Sequence, residues 1–399
     1  MSTGKKNPLT KQSAFYVDVT RLLRRHVGSI HHTGIDRVNL EYARWIHGLG
    51  GGLCLHRGFE LKTLSRNAWG KILLGELQPG SAERLYRHRI LFLLRSLVFR
   101  KPISEGASVT VSTHSWLGCW NTWQWLAKRR CKSIVFIHDL IPVQFPEYSN
   151  PREKKRHIQR LKNTLTHSQG IIVNSRCTES ALRRHAHSEG LPVPPVLVAP
   201  LGHDTPVTEP AVEIPLQGVP YFVVLGTIEP RKNHLLLLTL WRELVRRHGS
   251  ASPRLVVIGR RGWECEQVVD ILERCEAIHP FLIERNDASD AEVSAWITGA
   301  KALLMPSFAE GFGMPVQEAL ALGTPVISSP LPAIREFAEA IPDYAETYDG
   351  TRWLELIEAY ASPDSPLRSA QIHRLQAFKE TTWPGHFCLV EEFLRSLDS

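Results

Sequence analysis

The sequence predicts an α/β protein of two doubly wound domains with parallel sheets. Three observations carry this. Apolar strand patterns alternate with helical patterns along the chain; the alternation is interrupted once, by a Pro-rich stretch without periodicity near residues 200–220; and 399 residues suffice for two cores of ordinary size.

Ala14 to Val19 opens the chain as a strand. The next element starts near Gly34 and places Ile35, Val38, Tyr42, Trp45 and Ile46 at helical spacing, which builds one apolar face. It runs into a Gly-rich turn, Gly48 to Gly52, that feeds a strand near Leu53 to Leu55. Further strands are predicted at Ser108 to Val111, Ser133 to Ile137, Gly170 to Val173 and Pro195 to Ala199, separated by helices around 118–130, 152–167 and 176–187. Residues 1–200 thus form a first domain and 201–220 a linker. A second alternation fills 221–380, with strands near 221–225, 254–259, 280–284, 302–305 and 325–328. The tail, 381–399, reads as a helix with Leu389, Val390, Phe393, Leu394 and Leu397 on one side.

The seven cysteines include no C-x-x-C pair, so neither a disulfide framework nor a zinc site is indicated, as suits a reducing cytoplasm. The opening Met-Ser-Thr-Gly-Lys-Lys-Asn-Pro has no apolar signal region and no run approaches a membrane span, which predicts a soluble or peripheral protein. Charge is uneven. Residues 1–200 hold 31 Lys and Arg against 12 Asp and Glu, and the remainder hold 17 against 28. A basic half of this kind faces nucleic acid, an anionic bilayer or an acidic substrate. Its cations cluster at Arg84 to Lys101 and Arg152 to Lys162, the first mixed with Ile90 to Leu94 and Leu97 to Phe99. That mixture fits an interfacial helix on anionic lipid or, equally, a core helix with basic flanks. The absence of an aromatic stacking platform argues against nucleic acid.

Two segments carry the chemistry. In Pro306 to Gly323, a buried strand gives way to a loop containing Glu310, Gly311, Phe312 and Gly313, and then to a helix opening at Pro315 with Glu318 about one turn inside. A helix start attracts anions, while carboxylates accept paired hydrogen bonds from diols, so this segment asks for a ligand with both phosphate and sugar. In the second segment, strand 221–225 runs into Gly226-Thr-Ile-Glu-Pro-Arg231-Lys232-Asn233, placing two cations at a strand-to-helix turn where a diphosphate would be neutralised. The structural alternatives for Glu310 and Glu318 are an exposed loop acid and a buried helix acid. A Glu among Val316, Ala319 and Leu320 is costly without partners, which favours a ligand role.

Together these segments resemble the retaining, nucleotide-sugar-dependent glycosyltransferases of GT-B architecture (group 1, family 4 type), and within them the bacterial mannosyl- and rhamnosyltransferase branch of polysaccharide assembly. The Glu310–Glu318 spacing matches the family signature, and Gly226 to Asn233 matches a variant of its phosphate loop, although many relatives carry Arg where this chain has Thr227. The resemblance implies two sheets facing across a cleft and a tail helix that crosses back to the first domain. It implies that Glu318 holds the ribose, Arg231 and Lys232 the diphosphate, and Glu310 with Gly311 to Gly313 the donor sugar. His138, at the end of strand 133–137, would face that sugar, although a histidine packed at a strand end is the plain alternative. Gly34, after Thr33, is a donor-side candidate and Arg37 a lesser one, with an ordinary Thr33 N-cap as the alternative. Asp139 orients the imidazole or caps the next loop; Asn174-Ser175-Arg176 reads as a helix cap; and Arg260 and Arg261 are explained equally well by a turn.

The expected reaction is a metal-independent, cofactor-free retaining transfer of a hexosyl unit, mannosyl from GDP-mannose by resemblance. The acceptor is a hydroxyl of a growing, lipid-linked bacterial surface glycan on the inner face of the cytoplasmic membrane. The competing expectations are a nucleotide-sugar epimerase of the same fold and a non-catalytic sugar-nucleotide or membrane-surface module in a polysaccharide assembly complex.

Overall fold

The computed structural model describes residues 14–27, 33–64, 101–203, 214–216 and 218–397. The basic stretch 84–100 and most of the predicted linker lie outside the described residues.

The first sheet is formed by β1 (Phe15–Asp18), β2 (Gly52–Arg57), β3 (Glu60–Thr63), β4 (Ser108–Val111), β5 (Lys132–Ile137), β6 (Gly170–Val173) and β7 (Val196–Val198), in the order β3-β2-β1-β4-β5-β6-β7. Every pair is parallel except β2 with β3. Its helices are α1 (Thr20–Val27), α2 (Gly34–Gly48), α3 (Trp120–Lys128), α4 (Ile141–Gln144), α5 (Pro151–His167) and α6 (Arg176–Ser188). The second sheet contains β8 (Tyr221–Leu225), β9 (Arg254–Ile258), β10 (Leu282–Arg285), β11 (Leu303–Met305), β12 (Val326–Ser328) and β13 (Asp343–Tyr344), all parallel, in the order β10-β9-β8-β11-β12-β13. Around it lie α7 (His234–His248), α8 (Glu266–Arg274), α9 (Asp290–Gly299), α10 (Met314–Ala321), α11 (Pro332–Ala338), α12 (Gly350–Ala361) and α13 (Pro366–Leu375), and the chain ends in α14 (Trp383–Ser396).

Strands β4, β5, β6, β8, β9, β11 and β12 are almost wholly buried apolar runs, as expected of sheets covered on both faces. Elements that the sequence reading did not name include β3, an antiparallel return of β2 through a turn at Gly58; the short α1 and α4; the two-residue β13; and helices α12 and α13 that follow it. β3, α4 and β13 are too short to show a period.

Each sheet reverses its winding once. In the first, the chain adds β2 on one side of β1 and β4 on the other; in the second, it adds β9 on one side of β8 and β11 on the other. Ligands of open parallel sheets bind beyond the carboxyl ends of the strands at such reversals. In the second sheet, that rule selects the loops after β8 and β11, the same two segments that the sequence singled out.

Helix α14 packs on the first sheet. Trp383, Phe387, Val390 and Leu394 are buried with Val17, Tyr42, Ile46 and Phe136, and Trp45 stacks on Phe387 at 4.6 Å. At about 1.5–3 kcal/mol for each fully buried large apolar side chain, this is a substantial anchor. The chain crosses between domains twice, near 201–203 and 381–383, and buried Gln317 of α10 donates to the carbonyls of Leu201 and Thr381, tying both crossings to the helix that carries Glu318.

Candidate active site

At the second reversal, the loops after β8 and β11 are bonded to each other. Phe308 N–H donates to the Arg231 carbonyl at 2.9 Å, and the Asn233 amide, on a residue with φ of 55°, donates to the carbonyls of Pro306 and Thr347. This register brings Glu310 between Arg231 and Lys232. Arg231 Nη1 lies 2.7 Å from Glu310 Oε2, and Lys232 Nζ lies 2.7 Å from Oε1. Arg231 also grips Glu229 Oε1 and donates to the Ala309 carbonyl at 2.7 Å.

All three central side chains are nearly shut off from solvent. Burial opposes ionisation of Glu310, but the two cations outweigh it and hold the carboxyl down to about 2. Burial likewise pulls against Arg231, which Glu310 and Glu229 raise on balance. It prevails for Lys232, whose pKa is lowered despite Glu310. The result is a preorganised, self-neutralised network of fixed charge. Gly226 faces the Lys232 side chain, at 3.1 Å from Cε to an ideal Cβ, so the lysine lies over the start of the loop.

At the first reversal stand Asp18, Ser112 and, one strand further, His138. The His138 Nε2–H donates to the Ser112 carbonyl at 2.8 Å, which fixes the tautomer and leaves Nδ1 as the acceptor; burial lowers its pKa and keeps it neutral. Asp139 does not orient this ring. Its carboxylate caps the next turn by accepting from Ile141 N at 3.0 Å. Asp18 is wholly buried, accepts from Thr20 N and the Thr20 hydroxyl, and has its carboxyl pushed up to about 6 by burial. The Asn39 Oδ1 has no hydrogen-bond partner among the described residues, while Asn39 Nδ2 donates to Ser112 Oγ and the Asp18 carbonyl.

The two sides touch. Gly311 lies so close to the first domain that a Cβ there would come within 2.3 Å of the His138 carbonyl oxygen, so no larger residue fits. Ser175 Oγ donates to the Gly311 carbonyl at 2.9 Å while capping α6 through Thr178 N. Glu336 accepts from the first backbone N–H groups of α6, a favourable anion at a helix N-terminus. Tyr148 stacks on Phe308 at 5.0 Å, and Gly34 sits against Met314. Arg37 Nη1 meets Glu318 Oε1 at 2.6 Å across the cleft.

Of the residues expected at the site, His138, Arg231, Lys232, Glu310, Gly226 and Gly311 converge at the facing strand ends, while on the facing helices α2 and α10 Gly34 sits against Met314 and Arg37 meets Glu318. Gly313 is the N-cap of α10, which begins at Met314, one residue before the expected Pro315. The Phe312 ring is buried and stacks on Phe337 at 4.9 Å. Thr33 starts α2 with its N–H and hydroxyl donating to Asp36, whose carboxylate also meets Arg21 and Arg25. Asp18, Asn39, Glu336 and the Tyr148–Phe308 pair were missed. Only Asp18 left a trace in the sequence, as a lone carboxylate closing an apolar strand.

Charged and polar side chains gathered where two sheets reverse and face each other define a class of two-domain α/β protein, and similarity to known proteins gives the family. The chain belongs to the family 4 glycosyltransferases: residues 128–330 match the family described as "Family 4 Glycosyltransferase in conflict systems". It is 27% identical over 253 residues to the serotype-specific mannosyltransferase WbdA of Escherichia coli, a match covering 57% of this chain and 30% of the relative. It is 27% identical over 223 residues to the O-antigen chain mannosyltransferase B of the same species, covering 53% and 56%. The matched region thus spans less than two thirds of either relative. Among solved structures it superposes on sucrose-phosphate synthase from Thermosynechococcus elongatus (TM-score 0.62, 16% identity, 97% of this chain and 99% of that one). It also superposes on Anabaena HepE in complex with UDP and glucose (TM-score 0.60, 12% identity, 96% and 100%). The fold is GT-B.

Proposed function

We propose that the protein transfers a hexosyl unit, with retention and without a metal, from a nucleoside-diphosphate sugar to a hydroxyl of a growing bacterial surface glycan. The observation that carries this is Glu310, a buried carboxylate gripped by Arg231 and Lys232 and packed, through Gly311, against the backbone of His138. Donor sugar hydroxyls would donate to Glu310 and its following loop, and ribose hydroxyls to Glu318. As the anomeric carbon–oxygen bond to the diphosphate breaks, the acceptor oxygen bonds to that carbon on the same face. The acceptor proton passes to the departing phosphate oxygen. Arg231 and Lys232 are placed beside the phosphates, and neutral His138 beside the sugar. GDP-mannose is the preferred donor because WbdA and the O-antigen chain mannosyltransferase B, which the chain resembles, are mannosyltransferases.

No helix among the described residues is long and apolar enough to cross a membrane. A peripheral position on the inner face of the cytoplasmic membrane is supported by α5, where Lys154, Lys155 and Arg156 are exposed and have no ion-pair partner among the described residues. Calorimetric titration with GDP, UDP, dTDP and ADP, then with their sugar conjugates, tests the donor. Saturable binding tightened by one sugar supports transfer, and slow release of free sugar in the absence of acceptor identifies the glycosyl donor. If none of the four nucleotides binds, the transferase reading fails.

A further inference from the structure

The junction between β6 and α6, Asn174-Ser175-Arg176, reads from the sequence as a helix cap. Ser175 does cap α6, its oxygen accepting from Thr178 N at 3.1 Å. Capping uses only that oxygen. It gives no reason for the Ser175 proton, or for polar side chains at Asn174 and Thr178, although all three residues are buried.

Their hydrogen bonds supply the reason. The Ser175 hydroxyl donates across the domain boundary to the Gly311 carbonyl at 2.9 Å, and Thr178 Oγ1 lies 3.3 Å from the same oxygen. The Thr178 hydroxyl donates to Asn174 Oδ1 at 3.1 Å, and Asn174 Nδ2 donates to the His138 carbonyl at 2.9 Å. Each proton is used once. The carbonyls at the two ends of this chain belong to the loop that carries Glu310 and to the strand end that carries His138. They lie where Gly311 is pressed so closely against His138 that it leaves no room for a Cβ.

The second domain grips the same junction at another point. Glu336 of α11 accepts from Arg176 N at 2.7 Å and, through its other oxygen, from Cys177 N at 3.3 Å. Phe312 and Phe337, the residues after Gly311 and Glu336, stack on each other at 4.9 Å. The two grips are therefore joined within the second domain.

We propose that Asn174, Ser175 and Thr178, together with Glu336, are positioning residues that set the Glu310 loop against His138. The sugar-facing groups of the two domains then come into register only when this junction is engaged. This rests on the transferase reading above and deepens it by naming what aligns the two halves of the site. Arg231, Lys232 and Glu318 all belong to the second domain, so nucleotide binding is expected to be independent of the junction.

The test compares the full chain as wild type, Ser175→Asp and Glu336→Ala. Aspartate still caps α6 but has no proton for the Gly311 carbonyl. Glu336 is exposed, so Glu336→Ala keeps the fold and decides the question by itself if Ser175→Asp melts early. The readouts are affinity for GDP and UDP by calorimetry, release of free sugar from GDP-mannose and UDP-glucose, and amide hydrogen exchange in residues 308–313. Each variant is expected to release sugar about tenfold more slowly, the loss of one hydrogen bond, with nucleotide affinity unchanged within about twofold. Each is also expected to speed exchange in 308–313, which a mere loss of the α6 cap would leave untouched. Wild-type exchange there in either folded variant overturns the proposal, as does a fall in nucleotide affinity equal to the fall in release. If wild type binds no nucleotide, the transferase reading fails, and exchange in 308–313 still decides whether the junction positions that loop.

Discussion

On the second-domain side of the cleft, Glu310 is buried yet strongly acidic, because two cations within 2.7 Å supply what burial removes. On the first-domain side, Asp18 is equally buried but meets mainly neutral donors, Thr20 and Ser115, and burial pushes its carboxyl up to about 6. Asp18 closes β1 and Glu310 lies in the loop after β11, each at a reversal of sheet winding, so the topology is alike and the electrostatics are opposite. One side is a compensated ion network; the other gathers Asn39, Ser112, His114, His138 and His157, with polar atoms on Asn39, His114 and His157 that have no hydrogen-bond partner among the described residues. This division suits a reaction in which a charged leaving group is held by one wall and an uncharged sugar faces the other.

The largest effect is expected from Glu310→Ala. It leaves Arg231 and Lys232 buried without their shared partner, at a cost of roughly 3–5 kcal/mol. Transfer is expected to fall by at least about 100-fold, with turnover affected more than nucleotide affinity. Melting and sugar-transfer assays read the two losses, and full activity would remove Glu310 from the site.

The second contrast is in pH response. Burial lowers the pKa of His114, His138 and His157 on the first-domain side, and holds His386 of α14, packed on the same sheet, down to about 4. Their folded-state values lie below the unfolded value, so the stability they allow is complete above about pH 6.5 and is lost as pH falls toward the folded values. A single deeply buried histidine such as His386 accounts for about 2 kcal/mol at pH 5. In the second domain, His234 is similarly depressed, to about 4. Hydrogen exchange at pH 7.5 and 5 is expected to show greater loss of protection in β1, β4 and β5 than in β8, β9 and β11. Equal loss in both sheets would erase the contrast.

Asp18 runs the other way. Its raised value means that the folded state keeps its proton longer than the unfolded chain, so stability falls as pH rises through about 6. Asp18→Asn is expected to raise stability at pH 8 by roughly 2 kcal/mol and to change it little at pH 4, as measured by denaturant unfolding. Loss of stability at pH 8 would show that the carboxylate is needed in charged form.

The smallest effect concerns Glu318, whose Oε1 meets Arg37 in the cleft. Glu318→Ala is expected to weaken nucleotide binding about tenfold, as loss of hydrogen bonds to a charged acceptor implies. Unchanged affinity would end the ribose assignment.

Much of this was legible in the residues. The buried strands showed as apolar runs, the helices as periodic faces, and the loops after β8 and β11 as Gly-containing turns bearing charge, because local sequence dictates local backbone. The pairing of Glu310 with Lys232, 78 residues apart, was not legible; it follows from β8 and β11 being sheet neighbours. The same holds for Arg37 with Glu318 and for the close approach of Gly311 to His138, which join the two domains. The role of Asp139 was left open by the sequence and was decided by a backbone N–H two residues away, at Ile141.

By itself the sequence determined the two-domain α/β class, the strand-end loops and the residue types gathered there, since these follow from periodicity and side-chain chemistry. Tertiary structure alone decided which charges cancel and which stay unmatched. Burial and pairing between distant segments set the electrostatics of a site, and neither is written in local order.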